Sequence, residues 1–270
     1  MPALVLERII RYEAVHEITS WDDLRRRIDP EDRRCFAFFH PRLPGEPLIF
    51  VEVALAREIP GAIAPLLAAD RRPGAARRAS VAVFYSISNC QDGLRGVPLG
   101  NFLIKQVVDE LKRELPDLRT FVTLSPVPGF MGWLRRERGT RTSAWLTESD
   151  RRTLAAMDEP GWPQAAARAR ALRPALTAAL AEYLLRARNG RGRPVDPVAR
   201  FHLNNGARLE RINWLGDVSA KGLSQGAGFM VNYLYDIHRI ERNHEAFARD
   251  GRVIAARTVK KALREQATAQ

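Results

Sequence analysis

Two side chains stand out in this sequence as candidates for proton transfer, a histidine and a serine. His202 follows Phe201 and precedes Leu203, and Ser125 opens a Ser-Pro-Val-Pro-Gly turn. An imidazole with an ordinary pKa of about 6.5 holds or releases a proton near neutral pH. The two prolines would fix the backbone around the Ser125 hydroxyl. From the residues alone, a core histidine bonded to a backbone carbonyl is the simpler interpretation of His202, and a turn serine remains open for Ser125.

A glycine-containing loop between a predicted strand and a predicted helix is a candidate phosphate site. It runs from Gln91 to Gly100 and includes Gly93 and Gly96. Glycine lets the backbone approach an anion, and the first N–H groups of the helix point toward it. The loop has neither the GxGxxG spacing of dinucleotide sites nor the GK[ST] of a Walker loop. A tight strand-to-helix turn is the alternative.

The loop resembles the one with which GNAT-superfamily acetyltransferases hold the pyrophosphate of acyl-CoA, although Pro98 replaces the first glycine. The residues that this resemblance assigns to CoA binding are Arg95, Gly96, Val97, Pro98, Leu99, Gly100 and Asn101.

Longer motifs, in one order from about residue 10 to about residue 257, are similar to those of malonyl-CoA decarboxylase. They are Phe38-Phe39-His40-Pro41, Phe84-Tyr85-Ser86-Ile87-Ser88, Leu99-Gly100-Asn101-Phe102-Leu103-Ile104-Lys105, Leu124-Ser125-Pro126-Val127-Pro128-Gly129-Phe130, Asp196-Pro197-Val198-Ala199-Arg200-Phe201-His202-Leu203-Asn204-Asn205-Gly206-Ala207 and Arg211-Ile212-Asn213-Trp214.

That resemblance implies an enzyme that releases CO2 from malonyl-CoA with no metal and no organic cofactor. It implies that His202 is the proton donor and that Ser125 orients the substrate carboxylate or accepts a proton. It also places Ser86 and Tyr235 in the active site, where Tyr235 would bond the thioester oxygen or order Ser125. Their alternatives are a strand-end serine and a half-buried strand tyrosine.

The chemistry of decarboxylation requires few groups. Loss of CO2 leaves an enolate, so the protein must stabilise negative charge on the thioester oxygen and deliver a proton to the adjacent carbon. Near His202, Asn204 and Asn205 could orient the imidazole or cap a turn. Asp217 could fix the imidazole tautomer or be a surface carboxylate. Cys35 and Cys90 lack the spacing of a zinc site.

The predicted elements indicate an α+β protein with a GNAT-like fold, in which helices flank a mixed central sheet. Helices are predicted over residues 59–69, 99–115, much of 130–193 and from about 253, and a short helix or turn over 196–205. Residues 1–30 are predicted to be the helical remnant of an N-terminal domain that the family has and this chain mostly lacks. Residues 31–270 would form the catalytic domain, with a helical insertion at about 130–193. Strands are predicted over residues 35–40, 48–56, 80–87, 119–124, 208–214 and 229–235.

The composition leaves more than one class of partner open. The 270 residues carry a net charge of +12, and 38 of the 43 basic residues are arginines scattered along the chain. Such a charge attracts a polyanionic metabolite such as coenzyme A as readily as nucleic acid. Because no run approaches the roughly 18 apolar residues of a spanning helix, we expect a cytoplasmic protein that does not bind a membrane. The scattered arginines lack the aromatic-basic register that stacked single strands require, so we expect no nucleic-acid partner. A homo-oligomer is possible.

Three other functions stay open at this level. A GNAT-type acyltransferase would share the CoA loop but release no CO2. A nucleic-acid binder would show steeply salt-dependent binding and no saturable CoA site. A decarboxylase fragment could fold without being active.

Overall fold

The chain forms two compact units, which we call unit 1 and unit 2. The computed structural model describes residues 2–94, 99–140, 143 and 145–263, and of residues 99–102 it describes the backbone only. Unit 1 consists of Met1–Ser125 and Leu234–Ile237, and unit 2 consists of Pro126–Tyr233 and His238–Gln270.

Unit 1 is built on a mixed sheet. Its strands β1, β2 and β3 pair antiparallel, and β3 pairs parallel with β4. Opposite the other edge of β4, Leu234 pairs antiparallel with Val122. The strands are runs of β-branched and aromatic residues that favour the pleated conformation: β1 spans Arg33–Phe39, β2 Pro47–Ala56, β3 Val81–Asn89 and β4 Thr120–Thr123.

A β-bulge interrupts the pairing of β2 with β3. Glu52 lies opposite Ser86 and Val53 lies opposite Phe84, so Tyr85 is the extra residue. A bulge of this kind changes the direction of the side chains that follow it. The bulge therefore lies directly before Ser86 and Ser88, the two serines of β3.

Helices cover both faces of this sheet. Helices α1 (Ala3–Tyr12) and α2 (Trp21–Ile28) pack against Cys35, Ala37 and Phe50. Helix α4 (Leu99–Glu114) instead lies beside Phe36 and Phe38. Because alternate residues of a strand point to opposite faces, these contacts place α1 and α2 on one face and α4 on the other. The predicted mixed sheet flanked by helices is confirmed in this unit.

One predicted helix of unit 1 is mostly absent. Residues 59–69 were predicted to be helical, but α3 covers only Ala64–Leu67. Pro60 and Gly61 precede it, and Pro65 lies in its first turn. Proline lacks the N–H that a helix interior requires, so the helix can begin only around Pro65.

Unit 2 is mainly helical. Its elements are α5 (Phe130–Gly139), α6 (Glu148–Ala155), α7 (Ala166–Leu185), α8 (Pro197–Asn204), β6 (Arg208–Asn213), α9 (Ala220–Gly226), α10 (Ile240–Asp250) and α11 (Arg257–Lys261). Strand β5 (Ser125–Pro126) has its first residue in unit 1, and β7 (Met230–Leu234) has its last residue there. Strand β7 lies between β6 and β5. The predicted helices at 130–193 and 196–205 are confirmed, whereas α9 and α10 were not predicted and the last helix begins four residues later than expected.

An aromatic cluster forms the core of unit 2. The ring of Phe130 lies 5.7 Å from that of Tyr183 and 6.1 Å from that of Phe229, centroid to centroid, and Trp133 lies 5.1 Å from Tyr183. Tilted and edge-on rings at these separations are favourable contacts. In the part of the chain that the structure describes, no helix is both long and apolar enough to cross a membrane.

Candidate active site

The predicted CoA loop is only partly described. Arg95, Gly96, Val97 and Pro98 lie outside the described residues, while Leu99, Gly100 and Asn101 form the first turn of α4. The strand-to-helix order is as predicted, since β3 ends at Asn89 and α4 follows. The assignment of this loop to phosphate binding stays a prediction.

Ser86 is buried in β3 and bonded to a carboxylate from the N-terminal segment. Its hydroxyl donates to Oε2 of Glu13 at 2.6 Å, and the Ser88 hydroxyl lies 3.4 Å from the same oxygen. The other carboxylate oxygen of Glu13 accepts the backbone N–H groups of Val15 and His16, both at 2.8 Å. A short bond to an ionised acceptor is among the stronger hydrogen bonds in proteins. Glu13 therefore fixes the Ser86 hydroxyl in one orientation.

Ser125 is also buried, and it is hydrogen-bonded to a second hydroxyl. Its Oγ donates to Oγ1 of Thr123 at 2.9 Å. The two residues are separated by Leu124, so they alternate along the strand in the way that places side chains on one face. The parallel register pairs Phe84 with Thr123, which sets Ser125 and Ser86 each two residues beyond that pair.

Tyr235 joins the same part of unit 1. Its backbone N–H donates to the carbonyl of Phe121 in β4 at 2.9 Å. Its buried ring meets Phe84 edge-on, with centroids 6.3 Å apart. Unit 1 thus brings Ser86, Ser125 and Tyr235 onto neighbouring chain segments.

His202 belongs to unit 2, on α8. It is buried, its ring is stacked on that of Tyr233 with centroids 4.6 Å apart, and the edge of Phe201 lies against it. Burial lowers the pKa of His202 to about 3, because the charged imidazolium would lose its hydration. The expectation of an ordinary pKa near neutrality was therefore wrong for the free protein, in which His202 is a neutral imidazole.

The beginning of α8 is held by a buried carboxylate. Asp196 caps the helix by accepting the N–H of Ala199 at 2.7 Å, and it also accepts the Tyr183 hydroxyl at 3.2 Å. A cap of this kind satisfies N–H groups that the first turn leaves open. Burial raises the pKa of Asp196 to about 6.

The end of α8 is equally constrained. Gly206 has a positive φ of +79°, and a Cβ added there would lie 2.8 Å from Cγ2 of Ile240 and closer still to its carbonyl oxygen. Asn243 donates to the Gly206 carbonyl at 3.1 Å, and the His244 ring bonds the Asn204 carbonyl. Because both ends of the helix are fixed, His202 has a defined position within unit 2.

The other residues predicted to act on His202 differ in their surroundings. Asn205 is buried and Asn204 is exposed. Asp217 accepts the backbone N–H of Ser219 at 3.0 Å, at the start of α9. A carboxylate beside the imidazole would raise the pKa of His202. The pKa is instead lowered, and burial is the cause.

Two polar partners in this region were not found by sequence reasoning. Thr123 could have been found, because it lies near the end of the predicted strand 119–124 and precedes Ser125 by two residues. Glu13 could not, because 73 residues separate it from Ser86 and no local pattern links them. In the part of the chain that the structure describes, no group of three or more His, Cys, Asp or Glu side chains could hold a metal ion.

Comparison with known proteins gives a consistent family. A family model described as the malonyl-CoA decarboxylase C-terminal domain matches residues 1–270. The mitochondrial malonyl-CoA decarboxylase of Anser anser anser is 39% identical in an alignment 266 positions long that covers 91% of this chain and 52% of that protein. The chain thus spans about half the length of the curated relatives it matches.

Solved structures agree in fold. The crystal structure of malonyl-CoA decarboxylase from Rhodopseudomonas palustris is 58% identical with a TM-score of 0.92, covering 98% of this chain and 60% of that one. The loading GNATL domain of CurA from Lyngbya majuscula is 15% identical with a TM-score of 0.50, covering 89% and 96% of the two chains. The second similarity bears on fold alone. The predicted GNAT-like fold is confirmed.

Proposed function

Because this chain belongs to the malonyl-CoA decarboxylase family, we propose that it converts malonyl-CoA to acetyl-CoA and CO2. The single observation that carries the proposal is the match of the family model to residues 1–270. The relatives named for this reaction are 39% and 58% identical to this chain over the aligned residues, which cover 91% and 98% of it. No metal or organic cofactor enters the proposed reaction, since the thioester itself accepts the electron pair.

The proposed reaction has two steps. The bond between the carboxylate and the α carbon breaks, CO2 leaves, and the electron pair passes into the thioester as an enolate. A proton then reaches the α carbon and gives acetyl-CoA. Catalysis requires groups that stabilise the enolate more strongly than the substrate.

We assign the proton-donor role to His202. Its buried position supports this role, because a proton held away from water passes to the carbanion and not to solvent. As a neutral imidazole, His202 must first gain a proton. The substrate carboxylate promotes this protonation, because a negative charge placed beside a buried imidazole raises its pKa and stabilises the imidazolium. Binding of malonyl-CoA is therefore expected to take up a proton from the buffer.

Ser125 is assigned to orient the substrate carboxylate or to accept a proton. A hydroxyl suits the first task, because a full positive charge would hold the carboxylate too strongly in the ground state. The bond to Thr123 at 2.9 Å holds the hydroxyl in place and leaves the lone pairs of Oγ for the second task, accepting a proton. For the first task the hydroxyl must turn its hydrogen from Thr123 to the substrate carboxylate. Tyr235, buried in unit 1, would bond the thioester oxygen or order Ser125.

Ser86 is assigned a supporting role in the same unit. Its hydroxyl hydrogen points to Glu13, so toward a substrate it can offer only lone pairs. It is therefore unsuited to donate a hydrogen bond to the substrate carboxylate, and its role is to help shape the site. The loop of residues 95–101 is assigned to the CoA pyrophosphate.

The proposal is tested by incubating the purified chain with malonyl-CoA, with and without an amine acceptor, and identifying every product. A decarboxylase releases acetyl-CoA and CO2 in equal amounts and ignores the amine. Malonylation of the amine without CO2 would instead establish an acyltransferase. Saturable CoA binding with neither product would mean that this chain folds but lacks activity by itself.

A further inference from the structure

Asn205 carries a buried amide that no group of the described residues satisfies. The residue is 4% exposed, and its Nδ2 has no hydrogen-bond partner among them. A donor removed from water and left unpaired costs free energy, so such groups are rare in folded proteins. A ligand atom or a water molecule must complete its bonding. Asn205 is therefore a candidate for contact with a bound molecule.

The position of Asn205 relative to His202 is set by the helix. The backbone N–H of Asn205 donates to the carbonyls of Phe201 at 3.1 Å and His202 at 3.2 Å, so the chain still follows the helical path. Residues three apart lie on the same face of a helix. Both residues are 4% exposed, whereas Asn204, which precedes Asn205, is exposed.

The next residue fixes this arrangement. Gly206 adopts a φ of +79° against Ile240, and its carbonyl accepts Nδ2 of Asn243 at 3.1 Å. Asn205 therefore cannot move away from α8 without breaking these contacts. A fixed donor is what transition-state stabilisation requires, because no reorganisation is needed when charge develops.

We propose that Asn205 is a further catalytic residue, whose Nδ2 donates a hydrogen bond to the thioester oxygen as it becomes an enolate oxygen. The inference rests on the proposed function and deepens it. Asn205 neither gains nor loses a proton: the electron pair of the broken C–C bond moves onto the thioester, and the proton of His202 reaches the α carbon. The amide stabilises the intermediate charge because its own bonding is otherwise incomplete.

This role predicts opposite effects on activity and stability. Asn205→Leu, which is close in volume, should lower kcat about 10²–10³-fold, the usual loss when one such donor is removed. KM for malonyl-CoA and the Kd of acetyl-CoA should stay within about threefold, because the bond strengthens only as charge develops. The melting temperature should not fall below that of the parent, because removing Nδ2 breaks no hydrogen bond to another described residue.

Asn243→Leu is the matched control. It is a buried asparagine of the same unit whose Nδ2 has a partner, the Gly206 carbonyl. Removing it should lower the melting temperature. Asn205→Asp provides a second variant, in which an acceptor replaces the donor at constant size, and it should lose at least as much kcat.

The outcomes separate this inference from the proposed function. A folded Asn205→Leu or Asn205→Asp protein with parental kcat would overturn the inference and leave the decarboxylase intact. A fall in melting temperature of Asn205→Leu equal to that of Asn243→Leu would show a structural residue and also overturn it. If the parent chain itself released no CO2, the proposed function would fail first.

Discussion

The neutral state of His202 makes a prediction about stability that can be worked out from the structure. Burial lowers the pKa of His202 to about 3 in the folded protein, whereas an unfolded chain has a histidine pKa of about 6.5. Between these values the unfolded state binds the proton and the folded state does not. The contribution of neutral His202 to the unfolding free energy is therefore fully present above about pH 6.5 and is lost as the pH falls toward 3.

The magnitude follows from the two pKa values. Each unit of difference corresponds to about 1.4 kcal/mol, so His202 should cost the folded state about 2 kcal/mol at pH 5 relative to pH 8. The perturbation that isolates this effect is His202→Phe, whose ring does not titrate and can keep the stacking on Tyr233. Glu52 and Asp196 have shifted pKa values as well, but they titrate in both proteins and cancel in the difference.

The assay is urea unfolding of both proteins at pH 8, 7, 6 and 5. We expect the parent to lose about 2 kcal/mol more than His202→Phe over this range. The absolute difference at pH 8 is not the test, because the substitution also changes packing. Parallel curves would refute the reasoning, since they would mean that His202 titrates in the folded state as it does in the unfolded one.

Substitutions of three further residues, Glu52, Gly206 and Glu13, test other parts of the structure. Burial raises the pKa of Glu52 to about 8. The contribution of protonated Glu52 to the unfolding free energy is therefore fully present below the unfolded pKa and is lost as the pH rises toward 8. In urea unfolding, the parent should lose on the order of 1 kcal/mol of unfolding free energy per pH unit between pH 5 and 8, relative to Glu52→Gln. Gly206→Ala should lower the unfolding free energy by about 3 kcal/mol or more, because alanine would be strained at this positive φ and its Cβ would clash with the backbone of Ile240. Gly190→Ala is the control: nothing lies within 4 Å of the added Cβ, so the unfolding free energy should change by less than about 0.5 kcal/mol. Glu13→Ala should lower the unfolding free energy by about 2 kcal/mol, because it leaves the buried Ser86 hydroxyl without its acceptor, and calorimetry should show a smaller loss for the isosteric Glu13→Gln.

The sheet strands were predictable because their signal is local. Val81–Asn89 and Pro47–Ala56 are runs of β-branched and aromatic residues, and their burial in the structure follows from that composition. Helix α2 was predictable from its Ser20 cap, which accepts the N–H of Asp23. Helix α10 was missed because charged residues dominate Ile240–Asp250, and its buried stripe of Ile240, Asn243 and Phe247 includes a polar residue.

The sequence suffices to name the candidate residues, but it does not reveal their hydrogen-bond partners or their protonation state. The motifs around Ser125 and His202 could be read from the sequence because they are contiguous. The carboxylate that holds Ser86 comes from a segment 73 residues away, and no local pattern reports such a contact. The pKa of His202 depends on the loss of hydration, which only the packing around α8 reveals.

The most direct test of the central claim is the simultaneous measurement of acetyl-CoA and CO2 formed from malonyl-CoA by the parent and by His202→Phe. Binding of acetyl-CoA by both proteins serves as the control for an intact CoA site. We predict equal release of both products by the parent and a rate about 10²–10⁴-fold lower in the variant, with binding retained, because general acids contribute this much. Parental rates in a folded His202→Phe protein would contradict the assignment of the proton donor to His202.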